Sequence, residues 1–213
     1  MRIKILNSKI KIFLLTIIIS LNCLVINAYT IYSPKIINMA KYSQSGNNTK
    51  ALGIYKTLSN SEKDELVKYL EKYPEKFPPI FYILVADYIY ATDKDKAVLW
   101  FYIGKIRSYQ DVFMCKDKTS RGQLVFYPQM APKTLQYMSQ KSSDTKYTTN
   151  ILQQSLDWDD AHPNRISPIW ACYHGIEAYT KKPELVPKEE YPKIKKQIRE
   201  QIETTIKSHK DSE

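Results

Sequence analysis

The sequence predicts an all-α protein built of antiparallel helical hairpins, and three observations predict it. The stretch from Pro78 to Arg107 reads as two apolar-rich segments separated by the polar run ATDKDK, so two helices must fold back on each other. Near the C-terminus Ile194, Ile198, Ile202 and Ile206 recur every fourth residue, the spacing of one helical face. Up to residue 91 the chain carries no alternating apolar and polar runs of the kind that specify half-buried strands.

Taken in order, the chain opens on a targeting segment, residues 1–28. Arg2, Lys4, Lys9 and Lys11 precede the uncharged run Ile12 to Ile26, and Ile26-Asn27-Ala28 offers a cleavage site. An uncleaved anchor is the alternative, whereas a lipoprotein at Cys23 is disfavoured because Asn22 is not small. Residues 29–213 then form one helical domain. Ser33-Pro34 opens a short helix over Lys35 to Tyr42, the SQSGNN run from Ser43 turns, and a second helix covers Thr49 to Leu58. Ser61 and Asp64 have the spacing of a capping box for a helix reaching Tyr73, which Pro74, Pro78 and Pro79 terminate. After the central hairpin, residues 108–132 are expected to be irregular, with an extended or strand segment at Leu124 to Tyr127. A short helix follows from Pro132 to Gln140, and an amphipathic one from Thr149 to Ala161, ended by His162-Pro163. A further helix starts at Ser167-Pro168 and carries Ile169, Trp170, Tyr173, Ile176, Glu177 and Tyr179. The last runs from Pro187 or Pro192 to about Lys207.

The central hairpin has Ala97, Phe101 and Gly104 in its second helix and Ala86 with Ile89 or Tyr90 in its first. This small-and-aromatic pattern resembles the tetratricopeptide and related helical-hairpin repeats. The resemblance covers about 30 of the 213 residues, and a weaker echo sits at Ala51, Tyr55 and Leu58. It implies a short stacked array whose role is protein binding rather than chemistry. The segment DKAVLWFYIGKIR is also similar to part of an uncharacterised exported bacterial family, which implies no activity.

Loss of the leader leaves two cysteines, Cys115 and Cys172, in an oxidising compartment, and a disulfide between them is expected. The net charge falls from +10 to +6 when the leader's four basic residues are removed. That charge is moderate, and an exported protein meets little nucleic acid, so the 17 tyrosines are read as core and rim rather than as a base-stacking surface. No stable membrane span is expected once the leader is gone. Genuine export places the chain in the periplasm or outside the cell.

Candidate site residues are few. Asp157, Asp159, Asp160 and His162 gather oxygens and an imidazole at a helix C-terminus, where three carboxylates oppose the helix dipole and call for a compensating cation or basic partner. Their spacing suits neither a calcium loop nor an HExxH zinc pair, so no metal and no cofactor are expected. Together with Arg121 in the irregular region, these four make a candidate partner-binding patch. His174 has no serine, cysteine or acid in a recognisable catalytic arrangement beside it. The chain has no GxSxG, no phosphate-cradling glycine loop and no CxxC, so no catalytic residue is assigned. The leading expectation is therefore an exported, non-enzymatic protein that binds another protein in the cell envelope, one version being an immunity protein against a secreted toxin. The alternative is an envelope hydrolase acting on cell-wall or glycan material through His162 or His174.

Overall fold

Local sequence starts and stops the helices, and buried contacts then stack them. The computed structural model describes residues 32–211, so the targeting segment 1–28, with Cys23, lies outside the described residues. Helix α1 (Pro34–Gln44) begins with proline at its first position, and Glu65 accepts a hydrogen bond from the Ser33 amide at 2.8 Å. Gly46, at φ +80°, supplies the left-handed residue of the turn into α2 (Asn48–Lys56), capped by the Asn47 side chain. Helix α3 (Asn60–Lys72) opens with a capping box formed by Ser59 and Glu62, two residues before the expected Ser61 and Asp64. Glutamate at this position reaches the cap amide that a shorter aspartate would miss, and Glu62 accepts from the Ser59 N–H at 2.8 Å. Those hydrogen bonds and Lys35 hold the Glu62 carboxyl below its ordinary value.

The central hairpin is α4 (Ile80–Ile89) and α5 (Lys94–Phe113), with Asp93 capping α5 through the Lys96 amide at 2.9 Å. The two helices are antiparallel and close. A Cβ added at Gly104 would lie 2.7 Å from Ile83 Cγ1 and 3.1 Å from the Pro79 carbonyl, so this crossing admits only glycine. Phe81 and Phe101 are fully buried, and Phe81 packs edge-to-face against Phe77 and Tyr55.

Helix α5 is longer than the sequence suggests. Ser108 to Phe113 contains neither glycine nor proline and continues the helix, so the irregular region starts at Met114. It then runs as 3-10 turns over Lys118–Val125 and Pro128–Met130, and Leu124 to Tyr127 is not a strand. Helix α6 (Pro132–Gln140) is capped across the fold by Asp87 of α4, whose carboxylate accepts from the Lys133 amide at 2.9 Å. Helix α7 (Thr145–Ala161) starts at an Asp144 cap, and α8 (Ile169–Cys172) has four residues only. The long helix expected to carry Ile176 and Tyr179 breaks at Gly175 and resumes as a 3-10 turn, Ile176–Tyr179. Helix α9 (Tyr191–Lys210) buries Ile194, Ile198 and Ile206.

The described residues are therefore all-α. Helix α5 is the hub, with α4, α6, α7, α8 and α9 all packed on it. Among the described residues no helix is long and apolar enough to cross a membrane.

Candidate protein-binding face

Polar side chains on the last turns of α5 set the geometry of everything after it. Arg107, only 2% exposed, donates from Nε to Asp159 Oδ1 at 2.7 Å and from Nη2 to the His162 carbonyl at 2.5 Å. Its guanidinium lies 4.6 Å from the Trp158 ring centre. Gln110 donates to the second Asp159 oxygen at 3.0 Å and accepts from Arg165. Arg165 also donates to Asp111 at 3.0 Å, and the Trp170 indole N–H reaches the other Asp111 oxygen at 2.8 Å. Two arginines thus neutralise two aspartates in a dry setting, with every carboxylate oxygen hydrogen-bonded. Burial pushes the Asp159 carboxyl up, but Arg107, Arg165 and Gln110 outweigh it and hold the group below its ordinary value. At Asp111 burial wins, and the carboxyl is raised despite Arg165.

This network accounts for much of the acidic cluster at the end of α7. Asp159 points inward, Asp160 pairs with Arg199 of α9 at 2.6 Å, and Asp157 is exposed and accepts from Gln153 at 2.8 Å. The His162 ring stacks on Trp158 at 4.1 Å, with Nδ1 2.7 Å from the Trp158 carbonyl. The compensating cations that three carboxylates at a helix C-terminus demand come from the same chain, as Arg107 and Arg199. Arg121 is elsewhere, in the irregular segment, its guanidinium 4.0 Å from the Phe113 ring centre. His174 lies near Trp170, 6.3 Å between ring centres, and neither it nor His162 hydrogen-bonds a carboxylate among the described residues.

The network also anchors α8, and α8 carries the second half of a cross-linked surface. Cys172 is joined to Cys115 by the expected disulfide, with α-carbons 5.4 Å apart. Beside it the backbone at 114–116 pairs with 184–186, through Lys116 N–H to the Glu184 carbonyl at 3.1 Å and Val186 N–H to the Met114 carbonyl at 2.9 Å. Asp117 clasps the two 3-10 segments together. One oxygen accepts from the Thr119 amide and hydroxyl, and the other accepts from the Glu177 amide at 2.9 Å. Thr119 in turn accepts from the Ile176 amide at 2.8 Å. Gly175 is pressed so closely on Asp117 that any Cβ would overlap the carboxylate, so this position requires glycine.

The result is a stiffened, irregular surface that displays large apolar side chains. Val125 is 67% exposed, Phe126 60%, Tyr173 54%, Ile176 69% and Tyr179 89%. No protein-family model, curated protein or solved structure matches this chain. The face must therefore be read from its own chemistry. Exposed apolar residues are common on folded monomers, but aromatic side chains on a rigid support are the usual anchors of a protein interface. Sequence reasoning placed Ile176 and Tyr179 on one continuous helix starting at Ser167-Pro168. The signal against that reading was Gly175, three residues after Cys172.

The clasp is acid-sensitive in a predictable direction. The Thr119 hydroxyl first, then the Glu177 and Thr119 amides and Lys181, hold the Asp117 carboxyl below its ordinary value, against a smaller opposing effect of burial. A carboxyl depressed in the folded state adds stability that is complete above its unfolded pKa, about 3.9, and is lost as pH falls through the lower folded value. The amide resonances of Thr119 and Glu177 will therefore titrate with a midpoint under 3.9, and Asp117→Asn will abolish that step. A midpoint at or above that value would contradict the clasp.

Proposed function

We propose that this chain is an exported, non-enzymatic helical protein that binds another protein in the cell envelope, and that the disulfide-pinned face is where it binds. The observation that carries this reading is the exposure of Val125, Phe126, Ile176 and Tyr179 on segments held by a cross-link and a hydrogen-bonded clasp. Preorganisation matters here, because a partner docking on a rigid face avoids the ordering cost that a floppy loop would impose. A disulfide is also at home in an oxidising compartment, in keeping with the leader read over residues 1–28. The resemblance of the α4–α5 hairpin to protein-binding helical repeats points the same way. One concrete version is an immunity protein that neutralises a secreted toxin.

The test uses the full chain as bait in periplasmic extract at micromolar concentration, beside Phe126→Ser and Tyr179→Ser variants. Each anchor is expected to contribute at least about 2 kcal/mol, so either variant weakens capture of the specific partner about thirtyfold, while circular dichroism stays unchanged because both side chains are already in water. Equal capture by the variants, or no partner at all, would overturn the reading. For the immunity version, the captured partner must be toxic to cells that lack this protein.

A further inference from the structure

A second feature of the molecule shares no residue with that face. Helices α5, α7 and α9 meet over an apolar cluster of Ile106, Leu152, Leu156, Ile198 and Ile206, with Tyr102, Tyr109 and Ile202 packed at its edge. The three helices do not close the seam. A groove of about 340 Å³ remains, floored by Ile106, Leu152 and Ile198 and walled by Tyr102, Tyr109 and Ile202, a size within the range of small-molecule sites. Thr148, Gln201, Thr205 and His209 add polar groups, and no aspartate or glutamate lines it.

Lys105 lines the same groove, one helical turn from both Tyr102 and Tyr109. It is half-buried and takes part in no ion pair or hydrogen bond among the described residues. The contrast with its neighbours is informative. Arg107, Arg165 and Arg199 each have a carboxylate within 3.0 Å, whereas Lys105 faces apolar surface with its charge uncompensated. Burial accordingly pulls its ammonium below the ordinary lysine value. A half-buried cation without a counter-ion is costly, and an anion delivered to the site would remove that cost.

An apolar trough with one unpaired cation and no acid complements a molecule with an apolar tail and one negative head. We propose that the groove between α5, α7 and α9 binds a single-chain anionic amphiphile of the fatty-acid class, its tail along Ile106, Leu152, Ile198 and Ile202 and its carboxylate at Lys105.

The experiment titrates the full chain at pH 7.4 with dodecanoate, and separately with dodecanol, which has the same tail and no charge. Dodecanoate is expected to bind saturably with one molecule per chain and to shift the methyl resonances of Ile106, Ile198 and Ile202. Dodecanol is expected to bind about tenfold more weakly, the loss of one charge-assisted contact. Lys105→Met should bring dodecanoate down to the affinity of dodecanol and leave dodecanol unchanged, and Lys105→Glu should weaken dodecanoate further. Absence of saturable dodecanoate binding would overturn the proposal, as would Lys105→Met binding dodecanoate as tightly as the parent. So would a concentration-dependent dimer in sedimentation that protects the same isoleucine methyls, because the occupant would then be a second copy of this chain.

Discussion

Asp159→Ala will lower the unfolding free energy by about 3–5 kcal/mol, the loss expected when one partner of a buried ion pair is removed and the other stays behind. The magnitude follows from what remains. Arg107 keeps the His162 carbonyl and the face of Trp158, but its guanidinium is 2% exposed and loses the carboxylate that neutralises it. Gln110 loses an acceptor in the same step, and a buried amide left without a partner adds its own penalty. The double substitution Arg107→Leu/Asp159→Leu removes both charges together, and it should recover half or more of the single-variant loss, because a neutral apolar pair avoids desolvation of either ion. Urea denaturation followed by tryptophan fluorescence measures both. A single-variant loss under about 1 kcal/mol would show that the network is solvated and contributes no more than a surface pair. Higher salt should leave the parent's stability nearly unchanged, since buried pairs are screened much less than exposed ones.

Local rules of the sequence located most of the helices. Proline at the first helical position marks α1 and α6, and the apolar density of Ile80 to Ile89 and the four-residue spacing of Ile194 to Ile206 identify α4 and α9 from pattern alone. The shortfalls share one cause, contacts between residues far apart in the chain. Ser108 to Phe113 looked too polar for a helix because the partners of Gln110 and Asp111 lie some fifty residues away, at Asp159, Arg165 and Trp170. The need for glycine at 175 comes from Asp117, and periodicity within 167–181 holds no trace of that residue. The acidic end of α7 was legible as an electrostatic problem. Its solution was not, because Arg107 lies in a segment whose apolar neighbours suggest only core. The exposed face was hidden for a related reason, since Ile176 and Tyr179 have helical spacing and only the interruption turns them outward.

Removing the cross-link by Cys115→Ser/Cys172→Ser should cost about 4 kcal/mol and lower the melting temperature by roughly 10 °C. The cysteines are 57 residues apart, so the bridge restricts a long stretch of the unfolded chain, and the entropy removed on unfolding grows with that length. The enclosed stretch contains α6, α7 and one member of each buried ion pair, Asp159 and Arg165, so the loss is global rather than confined to one loop. A local effect should also appear. Without the bridge, the 3-10 segments that display Phe126 and Tyr179 are joined by the Asp117 clasp and the short backbone pairing at 114–116 with 184–186. Exchange of the Ile176 and Glu177 amides should accelerate more than that of the α4–α5 hairpin, whose burial does not depend on the cysteines. Calorimetry and amide exchange on the oxidised parent and the double-serine variant separate the two effects. A melting shift below 2–3 °C would mean that the bridge does little to constrain the unfolded chain. Uniform acceleration across all helices would mean that the displayed face has no stiffness of its own to lose, and with it would go the preorganisation on which a docking role depends.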